Sequence, residues 1–369
     1  MKILVTGAKG FIGKNLIAEL KNQKYTDILE YDIDTVSSLL DAYCKEADFV
    51  FHLAGVNRPK DQSDFMEGNF GFTSILLDTL KKFKNTCPVM NSSSIQAELG
   101  NPYGKSKKAG EDLLFEYGKE TGAKVLIYRF PNVFGKWCRP NYNSAVATFC
   151  YNIANGLPIT VNDHSHIMNL VYIDDVVEEL INALNGKENS VGNFCQVPIV
   201  YTMILGEIVD LIYSFNQSRE EHSIPDMANA FTRKLYSTYL SYLPEDKFSY
   251  PLKMNVDNRG SFTEFIRTTG RGQVSVNVSK PGITKGNHWH HTKNEKFLVV
   301  SGKGIIRFRK IDSDKIIEYH VSGKKMEVVD IPTGYTHNIE NLGDKDMITI
   351  MWANECFNPD KPDTYYLEV

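Results

Sequence analysis

A glycine-rich turn near the start of the chain has the spacing of a dinucleotide-binding site. The segment Thr6–Gly13 reads TGAKGFIG and directly follows the apolar run Ile3–Val5. In such a turn Gly7 permits a tight bend, Gly10 lets the backbone approach a pyrophosphate, and Gly13 lets the next helix pack closely. The amino terminus of that helix would face the phosphate charge. The spacing therefore predicts nucleotide binding.

The charged residues around this turn leave the choice between NAD and NADP open. Asp32 follows the glycines by about 20 residues, where a carboxylate would bind a free ribose 2′-hydroxyl and favour NAD. Lys9 within the turn would instead neutralise the 2′-phosphate of NADP. Asp32 and Asp34 would repel that phosphate unless their carboxylates turn away.

A tyrosine and a lysine four residues apart could transfer a proton. Tyr103 and Lys107 would share one helix face, and an adjacent ammonium favours the phenolate form of a tyrosine. Ser93 and Ser94 follow a predicted strand and could polarise a carbonyl group. Without the glycine turn, a helix-capping tyrosine and a solvated lysine would be the better interpretation. With the turn present, we expect a catalytic group.

A second set of residues, near the carboxyl end, has the spacing of a metal site. His288 and His290 would share one face of a strand, because side chains alternate along it. Glu295 opens the next strand, and His337 comes from a separate one. Three imidazoles and a carboxylate suit Zn²⁺, Fe²⁺, Ni²⁺ or Mn²⁺. His291 is a further histidine in the first motif and leaves some choice among the ligands.

Two different patterns of secondary structure would position the two sites. Up to about residue 245, short apolar strands alternate with helices, one of them from about Ser106 to Glu120, which predicts a parallel sheet with crossover helices. After Pro251, strand-like segments separated by Gly, Pro and Asn follow one another, which predicts an all-β domain. We place the boundary near residue 246, with domains at 1–245 and 246–369.

Composition excludes several classes of protein. A net charge of −4, from 41 basic and 45 acidic residues, gives no patch for nucleic acid or an anionic membrane. The chain has no predicted signal peptide or membrane span, so a cytoplasmic protein is expected. Its six cysteines are scattered and predict neither disulfides nor a cysteine zinc site. A small-molecule ligand fits best.

Residues 1–245 resemble the nucleotide-sugar branch of the extended short-chain dehydrogenase/reductase family. The motifs that match in order are the glycine turn, HLAG at 52–55, the Ser94 region, YxxxK at 103–107, RFPNVFG at 129–135 and VYIDDV at 171–176. The resemblance implies a Rossmann-like fold that binds NADP(H). It implies that Tyr103 is the general acid and that Lys107 binds the nicotinamide ribose. It also implies a serine at the substrate carbonyl, which is Ser94 or, because the interval to Tyr103 is short, Ser93. It further implies cofactor contacts from Gly7, Lys9, Gly10, Phe11, Ile12, Gly13, Asp32, Leu53 and Ala54, and substrate contacts from Asn132 and Arg139.

The carboxy-terminal half resembles the cupin family. The pattern G-x5-HxH-x4-E-x6-G fits Gly282–Gly302, and PxGxxHxxxN fits Pro332–Asn341, although Met326 stands where a leading glycine is usual. The resemblance implies a cupin barrel with a divalent metal, zinc being the expected one. Residues 257–264 are similar to the opening of cupin-type epimerases of 4-keto deoxyhexoses. Candidates for the proton transfer are Lys280, Lys285 and His290.

Together the two halves resemble the bifunctional enzymes of capsular-polysaccharide synthesis. The resemblance implies that the cupin epimerises C3 of UDP-2-acetamido-2,6-dideoxy-4-hexulose. The reductase would then reduce C4 with NADPH to a UDP-N-acetyl-6-deoxy-L-talosamine-type product, on the route to UDP-N-acetyl-L-fucosamine. A homodimer is expected, because cupins commonly pair through edge strands. The alternative is an NAD-dependent dehydratase or epimerase with a noncatalytic, structural cupin, although dehydratases usually carry Asp-Glu where Ile95-Gln96 follows Ser94.

Overall fold

The computed structural model describes residues 1–59, 61–268 and 270–369, and the chain divides into two units. The first unit comprises Met1–Tyr213 and Asn229–Pro244, and the second comprises Ser214–Ala228 and Glu245–Val369. The segment 214–228 therefore groups with the carboxy-terminal residues, although the sequence pattern placed it before the boundary. Among the described helices none is both long and apolar enough to cross a membrane.

A seven-stranded sheet with order β2-β1-β3-β4-β5-β9-β8 forms the centre of the first unit, and β10-β7-β6 form a smaller sheet. The strands are β1 (Ile3–Thr6), β2 (Ile28–Tyr31), β3 (Phe49–His52), β4 (Val89–Ser94), β5 (Val125–Phe130), β6 (Asn132–Phe134), β7 (Ile167–Tyr172), β8 (Ser190–Val191), β9 (Phe194–Cys195) and β10 (Tyr201–Ile204). The helices are α1 (Phe11–Asn22), α2 (Ser38–Glu46), α3 (Ser63–Phe65), α4 (Phe72–Lys82), α5 (Pro102–Thr121), α6 (Ala145–Ala154), α7 (Ile173–Leu184), α8 (Leu205–Glu220) and α9 (Ala230–Leu240). A π-helical segment, Met66–Gly71, joins α3 to α4, and 3₁₀ turns lie at Ile95–Glu98 and Glu245–Lys247.

The large sheet is parallel except for the β8–β9 pair, and its inner strands are buried on both faces. Leu4, Val50 and Ile127 pack with the helical residues Leu76 and Leu114 in one core. Continuous apolar strands of this kind are typical of a sheet covered by helices on both sides. The strand order reverses between β1 and β3, and ligands of such sheets bind at the carboxyl ends beside this point.

Helix α5 begins four residues earlier than the sequence pattern indicated. The side chain of Asn101 caps the helix by accepting the N–H of Gly104 at 2.7 Å, and Pro102 occupies the first turn. Asn at the cap and Pro just inside it are strong helix-start signals, and they outweigh the weak apolar periodicity that had suggested a start at Ser106. Tyr103 therefore lies in the first turn of the helix.

Two antiparallel sheets form the carboxy-terminal unit, with orders β11-β12-β13-β20-β15-β18 and β17-β16-β19-β14-β21. Phe297, Val299, Ile306, Phe308 and Ile339 lie in the core of this unit. The predicted fold class, a Rossmann-like sheet followed by an all-β cupin domain, is confirmed. The strands are β11 (Met254–Asp257), β12 (Gly260–Thr268), β13 (Gly272–Ser279), β14 (Thr284–Trp289), β15 (Glu295–Ser301), β16 (Lys303–Lys310), β17 (Ile316–Ser322), β18 (Val328–Ile331), β19 (Tyr335–Asn341), β20 (Met347–Ala353) and β21 (Tyr365–Tyr366).

Candidate functional site

The glycine turn packs so closely against its surroundings that side chains do not fit. Gly7 has a φ of 68°, and a Cβ there would lie 2.7 Å from the backbone nitrogen of Ala54. A Cβ at Gly13 would lie 2.2 Å from the carbonyl oxygen of Gly7. Helix α1 then begins at Phe11, with Gly10 as its N-cap and no side-chain cap. Backbone and helix N–H groups therefore form this wall of the cleft, which suits a pyrophosphate.

Asp32 and Lys9 lie together at one end of the same cleft. The Asp32 carboxylate accepts the backbone N–H of Lys9 at 2.7 Å and that of Ile33 at 2.8 Å. The Lys9 ammonium forms an ion pair with Asp34, and this hydrogen bond raises the pKa of Lys9 and lowers the pKa of Asp34. Either form of the adenosine ribose, with a hydroxyl or with a phosphate, would find a suitable partner here. The other predicted cofactor residues, Phe11, Ile12, Leu53 and Ala54, line the cleft as well.

Tyr103, Lys107 and Ser94 meet in this cleft, where β4 ends beside the start of α5. The Ser94 side chain lies close enough to Tyr103 to affect the pKa of its phenol. The Lys107 ammonium donates to the carbonyl oxygen of Ser92 at 3.2 Å, and its nitrogen lies 5.9 Å from the centroid of the Tyr103 ring. The structure thus brings the three predicted catalytic residues together.

Burial governs the protonation of this group. Burial raises the pKa of Tyr103, and the neighbouring Ser94 side chain offsets only part of that effect. Burial also lowers the pKa of Lys107 to about 8, although the charge of Glu111 acts the other way. An adjacent ammonium alone would favour the phenolate, but desolvation is the larger effect here. At neutral pH both groups carry their protons, as a proton donor and its cationic neighbour should.

Ser93, the alternative to Ser94, is engaged in a buried network instead. Its hydroxyl donates to Glu111 at 2.6 Å, and the fully buried Glu111 carboxylate accepts two hydrogen bonds from Arg129, at 2.9 and 2.7 Å. Ser94 is therefore the hydroxyl that faces Tyr103. Sequence reasoning missed Glu111, although its position four residues after Lys107 was a readable signal.

The π-helical segment positions another residue that the sequence did not reveal. The amide of Asn69 accepts the N–H of Val56 at 2.9 Å and donates to the carbonyl oxygen of Val56 and to Ser106, each at 3.0 Å. Ser106 in turn donates to the carbonyl oxygen of Tyr103 at 2.8 Å. Asn69 thereby connects the loop after β3 to the helix that carries the proton donor. A single π turn leaves no periodic signature that would have predicted this contact.

His52 is a buried structural histidine beneath the same loop. Its ring nitrogens lie 2.8 Å from the hydroxyls of Thr6 and Thr73. Burial, and secondarily the charge of Lys107, lowers the pKa of His52 to about 3. The imidazole is therefore neutral in the folded protein at physiological pH.

The predicted substrate residues line the far part of the cleft. Asn132 lies on β6 and donates to the carbonyl oxygen of Asn169 at 3.4 Å. The guanidinium of Arg139 lies 5.1 Å from the centroid of the Tyr142 ring. The cleft has a volume of about 1650 Å³. Because single ligand sites usually enclose about 300–1,000 Å³, there is room for a dinucleotide and a second ligand.

In the carboxy-terminal unit, His288, His290, Glu295 and His337 converge as their spacing predicted. One ligand atom from each lies within 4.8 Å of all the others. The Glu295 Oε2 atom lies 3.4 Å from Nε2 of His290 and 3.3 Å from Nε2 of His337. His291 lies outside this cluster and contacts Trp289 and Tyr365 instead.

The chemistry of this cluster fits a divalent cation. His290 Nε2, Glu295 Oε2 and both ring nitrogens of His337 are buried and have no hydrogen-bond partner among the described residues. Buried polar atoms without partners are costly, and a cation at their common centre would satisfy them together. Burial lowers the pKa of His288 to about 4, so its imidazole is free to bind metal. Burial alone would raise the pKa of Glu295, but the neighbouring His290 and His337 imidazoles and the charge of Lys293 lower it overall.

Two of the three proton-transfer candidates, Lys285 and the cluster residue His290, lie inside the β-domain. Lys285 pairs in the sheet with the core residue Ile339, so both side chains face the interior. Its ammonium donates to the Asn277 amide oxygen and to the Val278 carbonyl oxygen, both at 2.8 Å, and burial lowers the pKa of Lys285. Lys280 is exposed.

Comparisons with known proteins match both parts of the chain. The model of the NAD dependent epimerase/dehydratase family matches residues 3–194, and that of the polysaccharide biosynthesis C-terminal domain matches residues 255–365. The chain is 44% identical to the UDP-2-acetamido-2,6-beta-L-arabino-hexul-4-ose reductase of Pseudomonas aeruginosa, covering 100% of this chain and 99% of that protein.

Solved structures are similar over the same range. The capsular polysaccharide assembling protein CapF from Staphylococcus aureus is 58% identical, with a TM-score of 0.95 and 100% coverage of both chains. The UDP-glucuronic acid 4-epimerase from Bacillus cereus is 20% identical, with a TM-score of 0.55, over 66% of this chain and 99% of its own. The second likeness concerns the fold alone.

Proposed function

The chain belongs to the NAD dependent epimerase/dehydratase family and, along its full length, to the CapF type of capsular-polysaccharide enzyme, and from this premise we propose a two-step function. The carboxy-terminal unit epimerises C3 of UDP-2-acetamido-2,6-dideoxy-4-hexulose. The amino-terminal unit then reduces the C4 ketone to an alcohol of the L-talose series. The observation that carries this proposal is the meeting of Tyr103, Ser94 and Lys107 beside the glycine turn.

In the reduction, the residues of the chain bind the ketone and supply a proton. The nicotinamide cofactor supplies the hydride that adds to C4. The Ser94 hydroxyl, which lines the same cleft as Tyr103, holds the carbonyl oxygen, and Tyr103 donates its phenolic proton to that oxygen as the alcohol forms. Lys107 keeps a positive charge beside the tyrosine, which stabilises the phenolate that remains. Hydride and proton together convert the ketone to the alcohol.

We propose NADP(H) as the cofactor, with Lys9 as the partner of the 2′-phosphate. The proposal is supported by the position of the Lys9 ammonium at the Asp32 end of the cleft. The Lys9 ammonium is paired with Asp34. NADP binding therefore requires the ammonium to leave the Asp34 carboxylate and pair with the 2′-phosphate. Asp32 already accepts two backbone N–H groups, which restrains its carboxylate.

In the second unit we propose that His288, His290, Glu295 and His337 hold a divalent cation, with zinc as the expected metal. Such a cation would supply Lewis-acid polarisation of a bound carbonyl group. Lys285 is the proposed proton-transfer residue at C3, supported by its interior position and its lowered pKa. The C3 proton is acidic only while C4 is a ketone, so epimerisation must precede reduction.

Product analysis tests the proposal directly. The full chain is incubated with the UDP-4-keto-6-deoxy amino sugar and NADPH, and NMR spectroscopy assigns the configuration at C3 and C4. Inversion at C3 with an alcohol at C4 is expected. A product that keeps its original C3 configuration, together with no deuterium uptake at C3 in D₂O without NADPH, would show that the second unit is not an epimerase and would favour a structural cupin.

A variant separates the two steps. Tyr103→Phe, in the full chain, should abolish NADPH oxidation because the phenolic proton is lost. In D₂O without NADPH, the same variant should still incorporate deuterium at C3, because that exchange uses the other site. Loss of both activities together would contradict the division of labour. The cytoplasmic location and the homodimer remain predictions. Sedimentation would test the homodimer.

A further inference from the structure

The carboxyl end of the chain runs along the strands that carry the metal-binding cluster. In β21, Tyr366 pairs with His288 and Tyr365 pairs with Trp289. The N–H of Leu367 donates to the carbonyl oxygen of Asn287 at 3.0 Å. A segment more than sixty residues away in sequence therefore forms one side of the ligand-bearing strand β14.

Asp363, at the start of this segment, accepts hydrogen bonds from the loop between two residues of the cluster, His290 and Glu295. Its Oδ1 atom accepts the N–H of His291 at 3.0 Å. Its Oδ2 atom accepts the N–H groups of Thr292 and Lys293 at 2.7 and 2.9 Å, and the Thr292 hydroxyl at 3.2 Å. One carboxylate thus holds three successive residues between His290 and Glu295.

The same residue orients both of these ligands. The carbonyl oxygen of Asp363 accepts a hydrogen bond from Nδ1 of His290, so that nitrogen carries the proton and Nε2 keeps a free lone pair. Lys293, whose backbone Asp363 holds, places its ammonium 3.1 Å from Oε1 of Glu295. The other oxygen, Oε2, is then the one that faces His290 and His337.

We propose that Asp363 is the positioning residue of the metal site, fixing the tautomer of His290 and the rotamer of Glu295 before the cation binds. This inference rests on the proposed function, because it assumes that the cluster holds a divalent cation. Hydrogen-bond partners behind metal ligands fix their orientation, and removing such a partner costs about tenfold to a hundredfold in metal affinity. Asp363 acts through two ligands at once and is not itself a ligand.

The test uses the full chain and Zn²⁺ alone. Wild type, Asp363→Asn and the matched control Asp360→Asn, an exposed aspartate of the same segment, are stripped of metal and titrated with Zn²⁺ against a chromophoric chelator. Asp363→Asn keeps the backbone carbonyl that binds His290 but loses the carboxylate that holds residues 291–293, so the dissociation constant should rise about tenfold and stay at the wild-type value in the control. Lys293→Met, which leaves the carboxyl end intact, should also raise the Zn²⁺ dissociation constant.

Melting temperatures separate positioning from a general structural role. A purely structural Asp363 would lower the melting temperature of the metal-free and Zn²⁺-loaded forms equally. A positioning residue reduces the gap between the two forms, because weaker binding gives less stabilisation. Equal affinity in Asp363→Asn and wild type would overturn the inference while leaving the metal site intact. If wild type bound no Zn²⁺, the proposed metal site itself would be wrong and the inference would fall with it.

Discussion

The lowered pKa of Lys107 predicts an unusual pH dependence for the reductase. An ordinary lysine, with a pKa near 10.5, keeps its charge throughout the neutral and mildly alkaline range. Burial lowers the pKa of Lys107 to about 8, so it begins to lose its proton only slightly above physiological pH. Because Lys107 is proposed to hold the cofactor ribose and to stabilise the phenolate of Tyr103, activity should fall as that charge is lost.

The size of the effect follows from the titration. With a pKa of about 8, Lys107 is about 90% protonated at pH 7 and about 10% protonated at pH 9. The protonated, cationic form of Lys107 is the active one. The value of kcat/KM therefore falls as the pH rises through the pKa of Lys107. A loss of about tenfold between pH 7 and pH 9 is expected. The raised pKa of Tyr103 keeps its own titration out of this window.

The assay is the initial rate of NADPH oxidation from pH 7 to pH 9.5, at substrate concentrations well below KM. The matched variant is Lys107→Arg, whose guanidinium stays charged across this range. Its rate should be lower, because the geometry differs, but its alkaline decline should disappear. A wild-type profile that stays flat to pH 9.5, or the same decline in both proteins, would refute the assignment of the pH dependence to Lys107.

Three further outcomes are expected. Gly13→Ala should abolish cofactor binding in a fluorescence titration, since its Cβ would lie 2.2 Å from the Gly7 carbonyl oxygen, whereas Gly100→Ala, with open space around it, should bind normally. Lys9→Met should raise KM for NADPH about tenfold or more while changing KM for NADH little, because a charged hydrogen bond to phosphate contributes about 1.5–3 kcal/mol. The pKa of His52 is about 3 in the folded protein and 6.5 in the unfolded chain. The contribution of His52 to the free energy of unfolding is therefore fully present above pH 6.5 and is lost as the pH falls. Urea unfolding should show a loss of about 2 kcal/mol at pH 5, and an unchanged free energy of unfolding would contradict that environment.

The parts of the two sites that depend on local spacing could be predicted from the sequence. The glycine turn lies where its spacing indicated, because Gly7 has a positive φ and a Cβ at Gly10 or Gly13 would meet the nearby carbonyl oxygen of Gly7. The convergence of His288 and His290 follows from the alternation of side chains along a strand, and Glu295 opens the next strand as predicted. Tyr103 and Lys107 share a helix face, although the start of that helix was predicted too late.

The parts that depend on long-range contacts could not be predicted in this way. The hydrogen bonds of Asn69 depend on a π-helical segment, which has no periodic signature in the chain. Asp363 lies far along the chain from His290, and nothing in its neighbourhood marks it as different from Asp360. The protonation of Tyr103 depends on burial, which outweighs the charge that the spacing made obvious. In each case the decisive effect comes from the packing of distant segments.

The chemistry of the proposed substrate connects the two units more firmly than the sequence pattern does. Proton exchange at C3 requires the neighbouring ketone, and the reductase removes that ketone irreversibly once NADPH is in excess. A fast reductase acting first would trap the unepimerised sugar, so the two rates must be balanced in favour of the β-domain. Control of the product therefore lies in the relative rates of the two steps.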